Sequence, residues 1–147
     1  MKSAVVAAAL AALAAVACGS SSPPPAAPAP PPQASAGDPT CPVEVAGTSA
    51  TVEDATRGAA FVFVTTGDVA AVRDRARSLA AAHDKHDGPA GSLATMIGVG
   101  ATAAEADIEH GAKVTFTAVK DDDASALQSE LRMHAQHLAS GTCKMAM

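Results

Sequence analysis

Two nineteen-residue blocks of the sequence superimpose without a gap: GTSATVEDATRGAAFVFVT at residues 47–65 and GATAAEADIEHGAKVTFTA at residues 100–118. Gly47, Asp54, Gly58, Ala59 and Phe63 fall on Gly100, Asp107, Gly111, Ala112 and Phe116. A duplicated unit folds twice in the same way, and its two copies then bury their apolar faces against each other or in a common layer. Each block also runs into an acidic residue and an amphipathic stretch, so the duplication extends beyond the aligned residues to about 47–86 and 100–138.

In the second block Lys113, Thr115 and Thr117 alternate with Val114, Phe116 and Ala118, the period-two pattern of a strand with one wet face. The same register turns Phe61 and Phe63 of the first block toward the core. Ahead of each strand, EDATRGA and ADIEHGA read as hairpin turns, with Gly58 and Gly111 available for positive φ. Helices are expected to start at Asp68 and near Asp123, whose carboxylates suit free backbone N–H groups and the positive end of the helix dipole. Val69, Val72, Ala76, Leu79 and Ala80 form one apolar stripe; Ala124, Leu127, Leu131 and Leu138 form the other. The predicted fold is α+β: a two-layer sandwich of order ββαββα, with a four-stranded, mainly antiparallel sheet and two helices on one face. DGPAGSLATMIGV joins the halves, its Asp87-Gly88-Pro89 stopping the first helix and its Met96 and Ile97 packing down.

Outside the repeat, MKSAVVAAALAALAAVACGSSS carries Lys2 and then an uncharged apolar run. It reads as a secretory signal over residues 1–17, too short for a span of about 20 residues. AAVAC around Cys18 resembles the lipobox of bacterial lipoproteins, although that family prefers Leu where Ala15 stands and Ala15-Val16-Ala17 also meets the A-x-A rule of ordinary signal peptidase. The resemblance implies that Cys18 becomes the N-terminus and carries the lipid; free secretion is the alternative. Residues 18–40 are then a Pro/Ala/Ser-rich tether, too poor in apolar side chains to repay chain ordering. A proline-rich ligand would have the same look, but no basic residue flanks the prolines. The expected location is the Gram-negative cell envelope, lipid-anchored at the outer membrane and facing periplasm or exterior.

Without residues 1–17 the chain has 9 basic and 15 acidic residues, a formal charge of −6. That opposes nucleic acid or an anionic membrane surface as partner and leaves the lipid as the membrane contact. Residues 41–143 suffice for one domain, followed by a tail at 144–147. With no Trp or Tyr and three Phe, the core must be built largely from Val, Leu, Ile and Ala.

Cys41 and Cys143 bracket this domain and, with Cys18 committed to lipid, are expected to form a disulfide in an oxidising compartment. The rival role is a Cys143 thiolate beside Met145 and Met147, soft donors for Cu(I). Two H-x-x-H pairs, His83/His86 and His134/His137, end the two predicted helices. His83 and His134 fall inside the apolar stripes, His86 and His137 at their edges. Histidines in a last turn complement the helix dipole and can bond its free carbonyls. Alternatively, two converging pairs would supply four imidazoles to copper or zinc, with Met145 and Met147 as further ligands. The sequence has no G-x-S-x-G, no phosphate-binding glycine loop and no H-E-x-x-H, and KDDDAS at residues 120–125 reads as a solvated turn and cap. A non-enzymatic binding or structural domain without a cofactor is therefore expected, whose protein partner the residues do not name. A Cu or Zn binder is the alternative, and an unrecognised enzyme the third; DKHDG could set Asp84 or Asp87 beside a histidine, an arrangement commoner on surfaces than in sites, and no catalytic residue is assigned.

Overall fold

The alternation in both blocks becomes two β-hairpins in the computed structural model, which describes residues 37–98 and 100–144. The signal sequence, Cys18, the tether up to residue 36, Met145 and Met147 lie outside the described residues. Strands β1 (Thr48–Ala55) and β2 (Gly58–Thr65) lead to α1 (Val69–Lys85). A short helix α2 (Leu93–Met96) follows, then β3 (Ala101–Ile108), β4 (Gly111–Ala118) and α3 (Ala124–Leu138). The sheet is four-stranded, ordered β1-β2-β4-β3 and antiparallel at every pairing. The expected α+β sandwich of duplicated ββα units is thus present.

Its centre follows from the repeat. Ala59 pairs with Phe116 and Phe63 pairs with Ala112, so each copy sets its phenylalanine opposite the other's alanine. A large side chain meets a small one at both places, which lets the layer fill without strain. The rings of Phe61, Phe63 and Phe116 form one cluster, with centroids 6.1 Å apart for Phe61–Phe63 and 5.8 Å for Phe61–Phe116. Leu79, Leu127, Leu131 and Leu138 close over it from the helices.

Each helix covers the other copy's hairpin: α1 packs on β3 and β4, whereas α3 packs on β1 and β2. The chain leaves β2 beside the centre of the sheet, and β3 lies beyond β4, so the returning helix crosses onto the second hairpin. The copies are therefore interlocked, and neither can bury its apolar face alone.

Three local expectations change. The hairpins close through two-residue turns at Thr56-Arg57 and Glu109-His110, and positive φ falls on Arg57 (64°) rather than on Gly58 or Gly111. Those glycines are needed for close approach instead: a Cβ on Gly58 would collide with the Phe116 carbonyl, and one on Gly111 with the Phe63 carbonyl. Asp68 caps α1 by accepting from the Ala71 N–H at 3.0 Å, but Asp123 makes no side-chain cap, because a 3-10 turn over Asp121–Asp123 leads into α3. The tether gives up its last residues to the fold: Asp38 and Thr40 are buried, and the Asp38 carboxylate accepts from the Thr40 N–H and hydroxyl. The link between the halves packs down at Met96 and Ile97 as expected, and Leu93 and Ala94 of α2 are buried with them.

Candidate functional site

His83 sits in the last turns of α1, at a stripe position, and is 2% exposed. Its Nδ1 lies 3.2 Å from the Ala94 carbonyl oxygen and its Nε2 3.2 Å from that of Ala101. Its ring meets Phe116 edge to face at 5.1 Å, extending the aromatic cluster. A neutral imidazole carries one N–H, so one of the two carbonyls receives a hydrogen bond from it at a time. His86 is exposed, terminates α1 in the left-handed region (φ 52°) and stands edge to face with His83 at 6.2 Å.

His134 occupies the equivalent place on α3 and is 3% exposed, yet neither ring nitrogen has a hydrogen-bond partner. Glu130, one turn earlier, brings Oε1 to 3.8 Å from Nε2. The Met96 backbone lies beside the ring close enough to favour its charged form, but outside hydrogen-bonding geometry. Burial lowers the His134 pKa from 6.5, and the nearby Glu130 carboxylate opposes that only in part. His137 is exposed, and its backbone carbonyl accepts from the Ser140 hydroxyl at 2.6 Å. The bonding of the helices' own last carbonyls expected of the histidines is therefore corrected for the buried pair, although His83 does stand in the last turn of α1. His83 bonds the segment linking the repeats, and His134 bonds nothing, because both rings point inward, away from their own last carbonyls.

Both buried histidines thus abut one segment, His83 at Ala94 and Ala101 and His134 at Met96. Glu130 holds the same segment from α3 by accepting from the Gly98 N–H at 2.8 Å. Among the described residues, no group of three or more His, Cys, Asp or Glu side chains is placed to hold one ion. Of the four imidazoles expected to supply copper or zinc, those of His83 and His134 pack against protein backbone, and His86 and His137 are exposed.

Cys41 and Cys143 are joined, with Cα atoms 5.5 Å apart and both residues fully buried. The bond consumes the thiolate that a soft-metal role for Cys143 requires. Beside it, Arg75 inserts a guanidinium from α1: Nη1 donates to the Asp38 and Cys41 carbonyls at 3.0 Å each and lies 3.5 Å from the Glu44 carboxylate. Disulfide and arginine together fasten residues 38–41 to the domain.

Arg75 and Glu130 were missed by sequence reasoning, although each left a signal. Arg75 falls inside the stripe of Val72, Ala76 and Leu79, where a charge needs an internal partner. Glu130 precedes His134 by four residues on a helix, the spacing that brings two side chains together.

No family model matches the chain, and neither the curated proteins nor the solved structures contain a significant match to it.

Proposed function

We propose that this protein is a cell-envelope lipoprotein whose interlocked α+β domain binds or braces a partner and performs no catalysis. Cys18 carries the lipid, and the proline-rich stretch holds the domain away from the membrane. The observation that carries the reading is the buried Cys41–Cys143 disulfide at the entry of the tether. Such bonds persist in oxidising compartments, and this one braces the domain where an anchored chain would pull on it. The sheet face opposite the helices offers the partner Thr51, Val62, Val64, Thr115 and Thr117 around an ion pair between Lys113 and Glu53 (2.7 Å).

Membrane fractionation with intact-mass analysis tests the anchor. The wild-type protein should partition with membranes, begin at Cys18 and carry acyl mass, whereas Cys18→Ser should be released. A soluble wild-type product beginning at Cys18 without acyl mass would refute the reading.

A further inference from the structure

The duplication gives the sheet two edge strands, β1 and β3, and they are not equally finished. On β3 the outward-turned backbone is taken by α1: the Ala101 carbonyl oxygen lies 3.2 Å from His83 Nε2, and the Ala103 N–H donates to Asp84 Oδ1 at 2.8 Å. Glu105, the next outward position, adds an inward charge, which deters a further strand. The repeat places Thr48, Ala50 and Val52 of β1 where β3 has Ala101, Ala103 and Glu105. The Gly47 carbonyl accepts from the Thr66 N–H inside the sheet, so the alternation turns the backbone of Ala50, Val52 and Asp54 outward as well. Among the described residues, nothing hydrogen-bonds that backbone on its outer side. An edge of free N–H and C=O groups is a template for another strand, and Val52 stands where the other copy carries its deterrent.

We propose that β1 is a docking edge for a second copy of this chain, paired antiparallel about a twofold axis at Val52. In that register Val52 meets its own counterpart and Ala50 meets Asp54 in both directions, so every outward N–H finds a carbonyl. Thr51 stands opposite Glu53, and no like charges face each other; a slip that moved the axis to Glu53 would set glutamate against glutamate. Both β1 acids are already neutralised within their own copy, Glu53 by Lys113 and Asp54 by Arg132, so the edge fits its own duplicate rather than a basic peptide. Ala50 and Val52 are half-buried at the rim of the core, and each gains apolar cover from the pairing. The helices permit it. Because α3 lies across β1 and β2, joining two β1 strands at the usual strand spacing sets the two α3 axes about 10 Å apart, an ordinary helix-packing distance. One strand pair and one helix pair make a small interface, so the association depends on concentration.

The test combines sedimentation and amide exchange by NMR from micromolar to millimolar protein, on the full chain carrying Cys18→Ser so that no acyl group drives association. That parent should pass from monomer to dimer. Protection of the Ala50, Val52 and Asp54 amides should rise on the order of tenfold over the same range, while the Glu105 and Asp107 amides of β3 stay unchanged. Adding Val52→Glu, which gives β1 the residue of the equivalent β3 position, should leave a monomer that keeps its α+β circular dichroism, whereas Val52→Thr should still pair. Three results overturn the proposal. The parent stays monomeric at every concentration, as it would if the edge served an extended segment of another protein; or it dimerises with the β1 amides unchanged; or folded Val52→Glu dimerises like the parent. If Val52→Glu does not fold, the concentration dependence of the parent's β1 amides decides the matter.

Discussion

Arg75 donates from Nη1 to the Cys41 carbonyl at 3.0 Å, tying the first helix to the residue whose sulfur is bonded to Cys143. One cation thereby supports both the start of the domain and its closing covalent bond. Replacing Arg75 with Met leaves the Asp38 and Cys41 carbonyls without this donor and Glu44 without its guanidinium. Denaturant unfolding should show a loss of about 2–3 kcal/mol. Arg75→Lys should recover only part of it, because the shorter lysine stem has to bring its ammonium to the place where Nη1 makes all three contacts.

The disulfide closes a sequence separation of 102 residues. In the chain-entropy account, a loop of that size restricts the unfolded chain by up to about 4.7 kcal/mol. The double variant Cys41→Ala/Cys143→Ala should unfold at lower denaturant, with stability reduced by about 2–5 kcal/mol. Its circular dichroism in water should keep the α+β signature if the domain retains enough stability to fold.

Gly58→Ala and Gly111→Ala should be matched in cost, because each pushes a methyl group into a backbone carbonyl of the other copy, Phe116 for the first and Phe63 for the second. Backbone cannot swing aside as a long side chain does, so a loss of about 1–3 kcal/mol is expected for each. Equal midpoint shifts in urea would reflect the twofold relation of the copies. A free substitution at either site would contradict it.

Glu105 points from the edge strand β3 toward α1, where Arg77 Nε lies 3.4 Å from its carboxylate. An inward charge on an edge strand opposes strand-to-strand association with another chain. Burial raises its pKa from 4.5, Asp107 raises it further by hydrogen bond and charge, and Arg77 and Arg73 pull it back. The folded state therefore holds the proton more tightly than the unfolded chain, so ionisation costs stability as pH rises above about 4.5. Glu105→Gln, which imitates the protonated form, should be more stable than wild type at pH 7, and the difference should shrink toward pH 4. Sedimentation should also show the variant self-associating more readily.

His134 has the opposite sign. Its pKa is lowered on folding, so between 6.5 and its folded value the unfolded chain binds more protons, and stability falls as the solution is acidified through that window. Unfolding curves at pH 7 and pH 5.5 should differ more for wild type than for His134→Leu. The variant should be no less stable at pH 7, because it removes two buried nitrogens without partners.

The sequence by itself determined the duplicated strand–strand–helix order, the inward phenylalanines, the Asp68 cap and the pairing of Cys41 with Cys143. These follow from periodicity, from capping chemistry and from there being two cysteines at the ends of one domain. It also placed His83 and His134 on buried stripes, because helical spacing alone fixes which face a residue occupies. Only the tertiary structure decided what those faces meet. The helices cross to each other's hairpins because β3 lies beyond β4, and no local pattern records strand order. That crossing, with the linking segment packed into the core, turns the histidines onto backbone rather than onto one another. Gly58 and Gly111 show the same division: the sequence marks them as special, but the reason is a carbonyl in the other copy, Phe116 for the first and Phe63 for the second, brought close only by the pairing of β2 with β4.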